Sequence, residues 1–220
     1  MFLQGIDVSD HQGKIDWGTV ARQGVAFAYA KATEGGTWTD PTFAANYAGI
    51  RDAGMLRGAY HYLRPHTAAS EQVANFLKTL GPRQAGDLPP MLDLEAVDGM
   101  TGAAIVQCAV QWLDQVQAAL RCSPLVYCDR DFWTHTLDCP AALEEFPFWI
   151  AEYNGNELPT LPRGQTSFAF WQYAQSGKVA GIAAARSVDL DWFNGTREQL
   201  AAMGMTADPD AAGPPARADA

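Results

Sequence analysis

The chain has 220 residues, of which 48% are hydrophobic and 18% charged, and its formal net charge is −10. This length allows one sizeable core but is short for two, so we expect a single domain, and we expect it to be a monomer. The negative charge argues against nucleic acid binding, which depends on basic side chains that neutralise phosphates. No apolar run approaches the roughly 20 residues of a membrane span, and the first residues lack the basic and apolar regions of a secretory signal.

Short β-rich runs bounded by turn residues predict eight strands. In chain order these runs cover 3–8, 25–30, 56–62, 90–95, 125–128, 148–153, 168–173 and 187–192. Between the early runs, helical periodicity is found near 41–50, 70–80 and 102–121,. Because strands alternate with helices, the pattern favours parallel β/α units over a β-sandwich.

Eight strands in 220 residues is compact for a (β/α)8 barrel, which usually has about 250 residues. The segments 154–167 and 174–186 contain Gly, Pro and polar residues without helical periodicity, so we expect loops there,. The sequence therefore predicts an α/β fold, an irregular (β/α)8-like TIM barrel with reduced helices in its second half. We expect residues 1–203 to form this catalytic domain. The Ala/Pro-rich residues 204–220 are expected to be a disordered tail or linker.

The cysteines lie close together in the sequence, at Cys108, Cys122, Cys128 and Cys139. They form no C-x-x-C pair and no spacing typical of a zinc site, so we expect no metal and no other cofactor. A chain with this apolar content needs no disulfide for its core. Buried free thiols are therefore favoured over disulfides, although the sequence leaves the pairing open.

Acidic residues mark the ends of several predicted strands, which is where such barrels carry their chemistry. The fourth run ends Leu92-Asp93-Leu94-Glu95, and the two-residue period of a strand places Asp93 and Glu95 on one face. Two carboxyls that close resist joint ionisation, so one stays protonated and can act as a general acid, as glycosidic bond cleavage requires. Asp7 ends the first run, and Asp189 falls in the eighth.

The alternative interpretation of these acids is structural. They would then cap loops or form ordinary salt bridges with Lys31 and Arg64. Taken alone, the D-x-E pattern does not separate the two interpretations. The additional acids at other strand ends favour the functional one.

Aromatic side chains fall near the same strand ends, and their flat faces suit sugar rings. We expect Trp112 and Trp149 to belong to the core. The side chains expected to contact a substrate are Lys31, Tyr60, Tyr62, Tyr127, Trp171 and Asp191.

Other chemistries have less support. The chain has no G-x-S-x-G elbow and no phosphate-binding G-x-x-x-x-G-K pattern,. A single histidine such as His61 is more often a hydrogen-bonded structural residue than a base. His11 and Gln12 follow the first strand and could line the site.

Several motifs in this order resemble the glycoside hydrolase family 25 lysozymes, the Chalaropsis-type muramidases that include many phage endolysins. The resemblance covers about residues 3–200. It rests on Gly5-Ile6-Asp7-Val8-Ser9-Asp10-His11-Gln12-Gly13, Ile15-Asp16-Trp17, Tyr29-Ala30-Lys31-Ala32-Thr33-Glu34-Gly35, Gly58-Ala59-Tyr60-His61-Tyr62, Leu92-Asp93-Leu94-Glu95 and Val188-Asp189-Leu190-Asp191-Trp192-Phe193.

The resemblance implies hydrolysis of the β-1,4 bond between N-acetylmuramic acid and N-acetylglucosamine in peptidoglycan, so the enzyme would act on the bacterial cell wall. Glu95 matches the family's general acid, and Asp93, Asp7 and Asp189 match the acids around it. The family is regarded as retaining, with the substrate's 2-acetamido group proposed as nucleophile and a carboxylate such as Asp93 orienting it. The chain departs from many relatives at Asp191, where they have Asn.

Two alternatives remain to be tested. A family 18-like chitinase or glucosaminidase also ends its fourth strand in D-x-E, but its longer acidic pattern would need acids at Leu88 and Met91. A catalytically silent sugar-binding module would be expected to lose the general acid, yet Glu95 is present.

Overall fold

The computed structural model describes residues 2–207. Its nine strands form a single sheet. The strands are β1 (Phe2–Val8), β2 (Phe27–Glu34), β3 (Trp38–Thr39), β4 (Leu56–Tyr62), β5 (Met91–Leu94), β6 (Leu125–Asp129), β7 (Phe148–Ala151), β8 (Phe170–Gly177) and β9 (Val188–Asn194). The helices are α1 (Trp17–Arg22), α2 (Phe43–Asp52), α3 (Ala69–Leu80), α4 (Gly102–Leu120) and α5 (Arg197–Ala202).

The sheet closes into a barrel because β1 pairs with both β2 and β9. The strand order is β1-β9-β8-β7-β6-β5-β4-β2, and the short β3 is added to the outer edge of β2. The predicted irregular barrel is confirmed. Its second half also agrees with the expectation, since within residues 2–207 the connections from β7 to β8 and from β8 to β9 contain no helix.

The last barrel strand runs in the opposite direction to the one expected. β9 is antiparallel to both β8 and β1, whereas the other barrel neighbours are parallel. A parallel connection needs a crossover of about a dozen residues or more, usually a helix. The short loop between Gly177 and Val188 is a hairpin-type connection instead. The prediction of parallel units throughout is therefore wrong for β9.

Two apolar layers follow from the two faces of each strand. Inside the barrel, Phe27, Tyr29, Trp149 and Phe170 pack edge-on or stacked, and the Trp149 and Phe170 ring centroids are 4.6 Å apart. Outside the barrel, the opposite faces of the strands pack against the helices, where Trp112 of α4 is fully buried. The expected core positions of Trp112 and Trp149 are confirmed. The inner aromatic layer fills the lower barrel and leaves the upper end for polar side chains.

A buried ion pair joins β4 to the loop that precedes β5. Arg57 Nε and Asp87 Oδ1 are 2.6 Å apart, and the two side chains are only 6% and 5% exposed. The guanidinium also lies 3.8 Å from the ring centroid of Tyr47 in α2 and donates to the Tyr47 carbonyl. This pair connects a barrel strand, a helix and a loop at the end of the barrel opposite the acids.

The folded part continues beyond the predicted boundary at residue 203. Met205 is buried, its N–H donates to the carbonyl of Asp87 at 2.7 Å, and its own carbonyl accepts from Gly86. Met205 is the last large apolar residue, and burying it extends the domain past residue 203. The remainder of the expected tail, residues 208–220, lies outside the described residues.

The four cysteines all lie within the described part of the chain and are free thiols. Cys108 and Cys128 are buried, and burial raises the pKa of both thiols. Among residues 2–207, none of the helices has the length and apolar character needed to cross a membrane.

Candidate active site

A cleft of about 260 Å³ opens at the end of the barrel where the parallel strands terminate. Its lining is mainly polar and acidic. The residues are Asp7, Val8, Ser9, His11, Gln12, Lys31, Tyr60, Tyr62, Met91, Asp93, Glu95, Tyr127, Tyr153, Gln172, Gln175 and Asp189. The structure thus brings together all four acids predicted to be catalytic, four of the six residues predicted to bind substrate, and His11 and Gln12.

The position of Asp93 and Glu95 follows from strand geometry. Leu92 and Leu94 face outward into the helix-covered core, and this directs Asp93 and Glu95 into the cleft. Asp93 lies within β5 and is buried, whereas Glu95 follows the strand and is accessible at the cleft mouth. Within residues 2–207 neither acid forms a salt bridge, because Lys31 pairs with Glu34 and Arg64 pairs with Glu34 and Asp98.

Glu34 holds the cation of the cleft in place. Lys31 Nζ is 2.7 Å from Glu34 Oε2 and lies over the rings of Tyr62 and Trp38, at 4.7 Å and 5.0 Å from their centroids. Arg64 Nε bonds the other carboxylate oxygen of Glu34 at 2.8 Å. These contacts fix a positive charge beside the acids.

Asp7 and Asp189 face each other across the seam that closes the barrel. The two residues are register partners in the antiparallel β1–β9 pair. Since β9 is antiparallel, Asp189 reaches the acidic end of the barrel from the beginning of its strand, not from its carboxyl end. The predicted location of Asp189 is correct, but the strand direction assumed for it is wrong.

The four acids have raised pKa values because they share a partly desolvated space. Burial is the largest cause for each of them. Burial raises the pKa of Asp7 to about 6, although a hydrogen bond from Gln172 acts in the opposite direction. Burial and repulsion from Asp7 raise the pKa of Asp189 to about 8. The pKa of Asp93 lies well above its usual value through burial and the charge of Glu95.

The pKa of Glu95 is also raised. Partial burial is the main cause and the charge of Asp129 adds to it, while the Tyr127 hydroxyl and Lys31 act in the opposite direction. One cation cannot balance four carboxylates in this space. The cleft therefore retains at least one protonated carboxyl near neutral pH, which is the requirement for general acid chemistry.

Gln172 is a residue that sequence analysis missed. Its side-chain oxygen accepts hydrogen bonds from the hydroxyls of Tyr127, at 2.9 Å, and Tyr153. Both hydroxyls donate to the oxygen, so the amide nitrogen is directed toward Asp7 Oδ2, to which it donates at 2.8 Å. The sequence signal for this position is the alternation of side chains along a strand. Gln172 is two residues from the inward-facing Phe170 and therefore faces inward as well.

Two residues predicted to contact substrate do not line the cleft. Trp171 is 3% exposed and packs in the outer core, where its indole nitrogen donates to the Glu152 carbonyl. The prediction selected the wrong parity in β8, since Gln172 faces inward and its neighbour must face outward. Asp191 is fully buried and lies beneath the cleft, so it cannot touch a substrate.

His61 is structural, as expected. It is fully buried, its ring nitrogens lie 2.7 Å from Thr33 Oγ1 and 2.9 Å from Gln72 Oε1, and its ring stacks on Trp112. Burial lowers its pKa to about 4. Among residues 2–207, no group of three or more His, Cys, Asp or Glu side chains is arranged to hold a metal ion.

Comparison with known proteins gives the family of this site. Residues 6–182 match the family model described as Glycosyl hydrolases family 25. This chain belongs to glycosyl hydrolase family 25. The enzyme is thus a glycoside hydrolase, and the matched range contains Asp7, Asp93 and Glu95.

Individual relatives agree with the family. The chain is 34% identical over 213 residues to Lysozyme M1 of Streptomyces globisporus, covering 91% of this chain and 71% of that protein. A bacterial lysozyme from Streptomyces coelicolor has the same fold, with a TM-score of 0.84, 32% identity and coverage of 92% and 97% of the two chains. A family GH25 lysozyme from Aspergillus fumigatus also has this fold, with a TM-score of 0.83 and 28% identity. The match covers 93% of this chain and 100% of that one.

Proposed function

We propose that this family 25 enzyme is an N-acetylmuramidase that hydrolyses the β-1,4 bond between N-acetylmuramic acid and N-acetylglucosamine in peptidoglycan. It would act on the bacterial cell wall. The observation that carries the proposal is the convergence of Glu95, Asp93, Asp7 and Asp189 in one cleft with a single lysine. The lysozyme names of the relatives support the choice of peptidoglycan over other glycans.

Glu95 has the position of the general acid. It is the accessible carboxyl at the mouth of the cleft, so it can reach the oxygen of a bound glycosidic bond, and its raised pKa favours the protonated form. In the first step Glu95 donates its proton to that oxygen as the C1–O bond breaks. In the second step the carboxylate removes a proton from water, and the water oxygen bonds to C1.

Asp93 is assigned to the 2-acetamido group of the substrate. Asp93 lines the cleft, so its carboxyl can accept the acetamido N–H. That bond would turn the acetamido oxygen toward C1, where it forms the transient C–O bond that water later replaces. Two displacements at one carbon retain the configuration, so we propose net retention.

Asp7 and Asp189 are assigned to charge stabilisation. The sugar ring becomes oxocarbenium-like and positive in the transition state, and a carboxylate that is already fixed in place stabilises such a charge without reorganising. The Gln172 amide holds Asp7 in place. The tyrosines at 60, 62 and 127 present ring faces and hydroxyls for the sugar,.

Product analysis tests the bond specificity. Peptidoglycan digested with the enzyme is reduced with borohydride, and the muropeptides are analysed by mass spectrometry. Reduced muramic acid ends are expected. Reduced glucosamine ends would show a glucosaminidase, the activity of the chitinase-like alternative, and intact glycan with the protein bound to it would show a silent binding module. The structure disfavours the first alternative because Leu88 and Met91 are buried and apolar.

Salt dependence tests how the enzyme reaches its substrate. The chain carries a net charge of −10, and peptidoglycan with its attached polymers is often anionic, so long-range attraction cannot drive their encounter. We expect the rate of wall clearing to rise or stay constant between low and moderate salt, because salt screens the repulsion. A steep loss of rate over this range, measured by turbidity, would contradict binding through short-range stacking and hydrogen bonds.

A further inference from the structure

A fifth acid, Asp191, lies below the four in the cleft and takes no part in the proposed mechanism. In the antiparallel β1–β9 pair, Asp191 is opposite Gly5, and on its other side it is opposite Gln172 of β8. It therefore faces the barrel interior one step below the Asp7–Asp189 pair. The Phe27 ring occupies the space where a side chain at Gly5 would lie.

The surroundings of Asp191 cannot accommodate a carboxylate. The side chain is 0% exposed, and neither of its oxygens accepts a hydrogen bond from any residue in the range 2–207. The layer beneath it contains Trp149, Phe170 and Phe27. An ionised carboxyl with no donor in an apolar layer is strongly unfavourable, so the group takes up a proton instead.

Two titratable groups repel a negative charge on Asp191, namely Asp7 on β1 and Asp189 on β9, whereas the indole N–H of Trp149 on β7 acts in the opposite direction. Tyr29 on β2 also lies in the barrel interior, and burial keeps its hydroxyl neutral. Lys31, the cation of the cleft, contacts Glu34, Trp38 and Tyr62 instead. Burial, followed by the charges of Asp7 and Asp189, raises the pKa of Asp191 well above its usual value.

Asp7 and Asp191 are diagonal neighbours on the interior face of the β1–β9 pair, since Asp7 is opposite Asp189 and Gly5 is opposite Asp191,. A direct hydrogen bond between two carboxyls forms only when one of them carries a proton. Asp7 already accepts the Gln172 amide N–H, which favours its ionised form,. Asp191 accepts no hydrogen bond of ordinary geometry within residues 2–207, and the Trp149 N–H acts on it less strongly than burial does. The proton of this pair therefore belongs on Asp191.

We propose that Asp191 is a buried, neutral carboxylic acid that donates a hydrogen bond to Asp7 and so holds Asp7 ionised and in place at the floor of the cleft. Asp191 is a positioning residue, because it acts on the reaction only through Asp7. Its effect on the rate rests on the proposed function, whereas its protonation state does not.

Thermal unfolding across pH tests the protonation state without using activity. The variant is Asp191→Asn, which has the same shape and is always neutral. In the unfolded chain Asp191 ionises above about pH 4, but in the folded parent it stays protonated. Ionisation therefore favours the unfolded chain, and the stability of the parent falls as the pH rises above that value. The Tm of the variant minus that of the parent is therefore expected to grow from about pH 4 upward.

The matched control is Asp114→Asn on the exposed face of α4. Its Tm difference from the parent, measured at each pH, is the baseline for an exposed carboxylate. If the Asp191→Asn difference has the same pH dependence as this baseline, Asp191 is ionised in the fold and the proposal is wrong. This result stands even if the enzyme proves to have a different substrate.

The pH profile of kcat tests the donated hydrogen bond. Asp191→Leu removes the donor without adding a charge, so the pKa of Asp7 should rise and the acid limb of the profile should move to higher pH. Asp191→Asn keeps an N–H donor and should leave the limb in place. If Asp191 is instead ionised in the parent, both variants remove a negative charge and the limb moves to lower pH in both. That outcome overturns the proposal. If the leucine variant does not fold, the position of the acid limb in Asp191→Asn is enough to decide.

Discussion

Glu95→Gln is expected to lower kcat on peptidoglycan by about 10²–10⁴-fold, the range contributed by a positioned general acid. Glutamine keeps the size of the side chain but cannot donate a proton to the leaving oxygen or remove one from water. The measurement is the initial rate of turbidity loss with purified cell walls. KM should change little, because substrate binding depends mainly on the tyrosines and Lys31.

The same variant should be at least as stable as the parent. Glu95 contributes to the raised pKa values of Asp93, Asp7 and Asp189 through repulsion, so removing its charge relieves strain among the acids. The matched control is Glu157→Gln, which changes an exposed carboxylate in the loop after β7 and should keep parental activity. A Glu95→Gln enzyme that clears walls at the parental rate would rule out the proposed mechanism.

Arg57→Met is expected to lower the free energy of unfolding by about 3–5 kcal/mol, the usual effect of removing one partner of a buried ion pair. Methionine has a similar length, but it leaves the Asp87 carboxylate buried at 5% exposure without its cation. Urea unfolding at neutral pH, followed by tryptophan fluorescence, measures the change.

The double variant Arg57→Met/Asp87→Leu should recover part of the loss, since it removes the unpaired charge as well. If the double variant is as unstable as the single one, the lost cation–π packing on Tyr47 is the main cause and not the buried charge. The exposed-pair control is Arg163→Met, whose ion pair with Asp138 is largely in solvent. It should leave the denaturation midpoint almost unchanged.

Local periodicity predicted the parts of the site that depend on one strand. The alternation in residues 91–95 was enough to place Asp93 and Glu95 together, because the side-chain period of a strand does not depend on its neighbours. It also predicted the helices α2, α3 and α4. Trp171 shows the limit of this reasoning, since a run without clear alternation does not reveal which parity faces inward.

The features that sequence analysis missed depend on contacts between distant segments. The direction of β9 is set by its pairing with β1, which lies far away in the sequence. The role of Gln172 is apparent only once the fold places Tyr127, Tyr153 and Asp7 around its amide. The helices α1 and α5 are single short elements of six residues each. Such short helices are stabilised by packing on the barrel and have weak local signals.

The β1–β9 seam has a consequence for the newly synthesised chain. Asp7 lies on β1 and Asp189 on β9, which is synthesised after the other eight strands of this sheet, so the two halves of the acidic cluster meet only when β9 docks between β1 and β8. Every shorter nascent fragment lacks this pair and has an open edge on β1. The acidic cluster is therefore complete only after the barrel has closed.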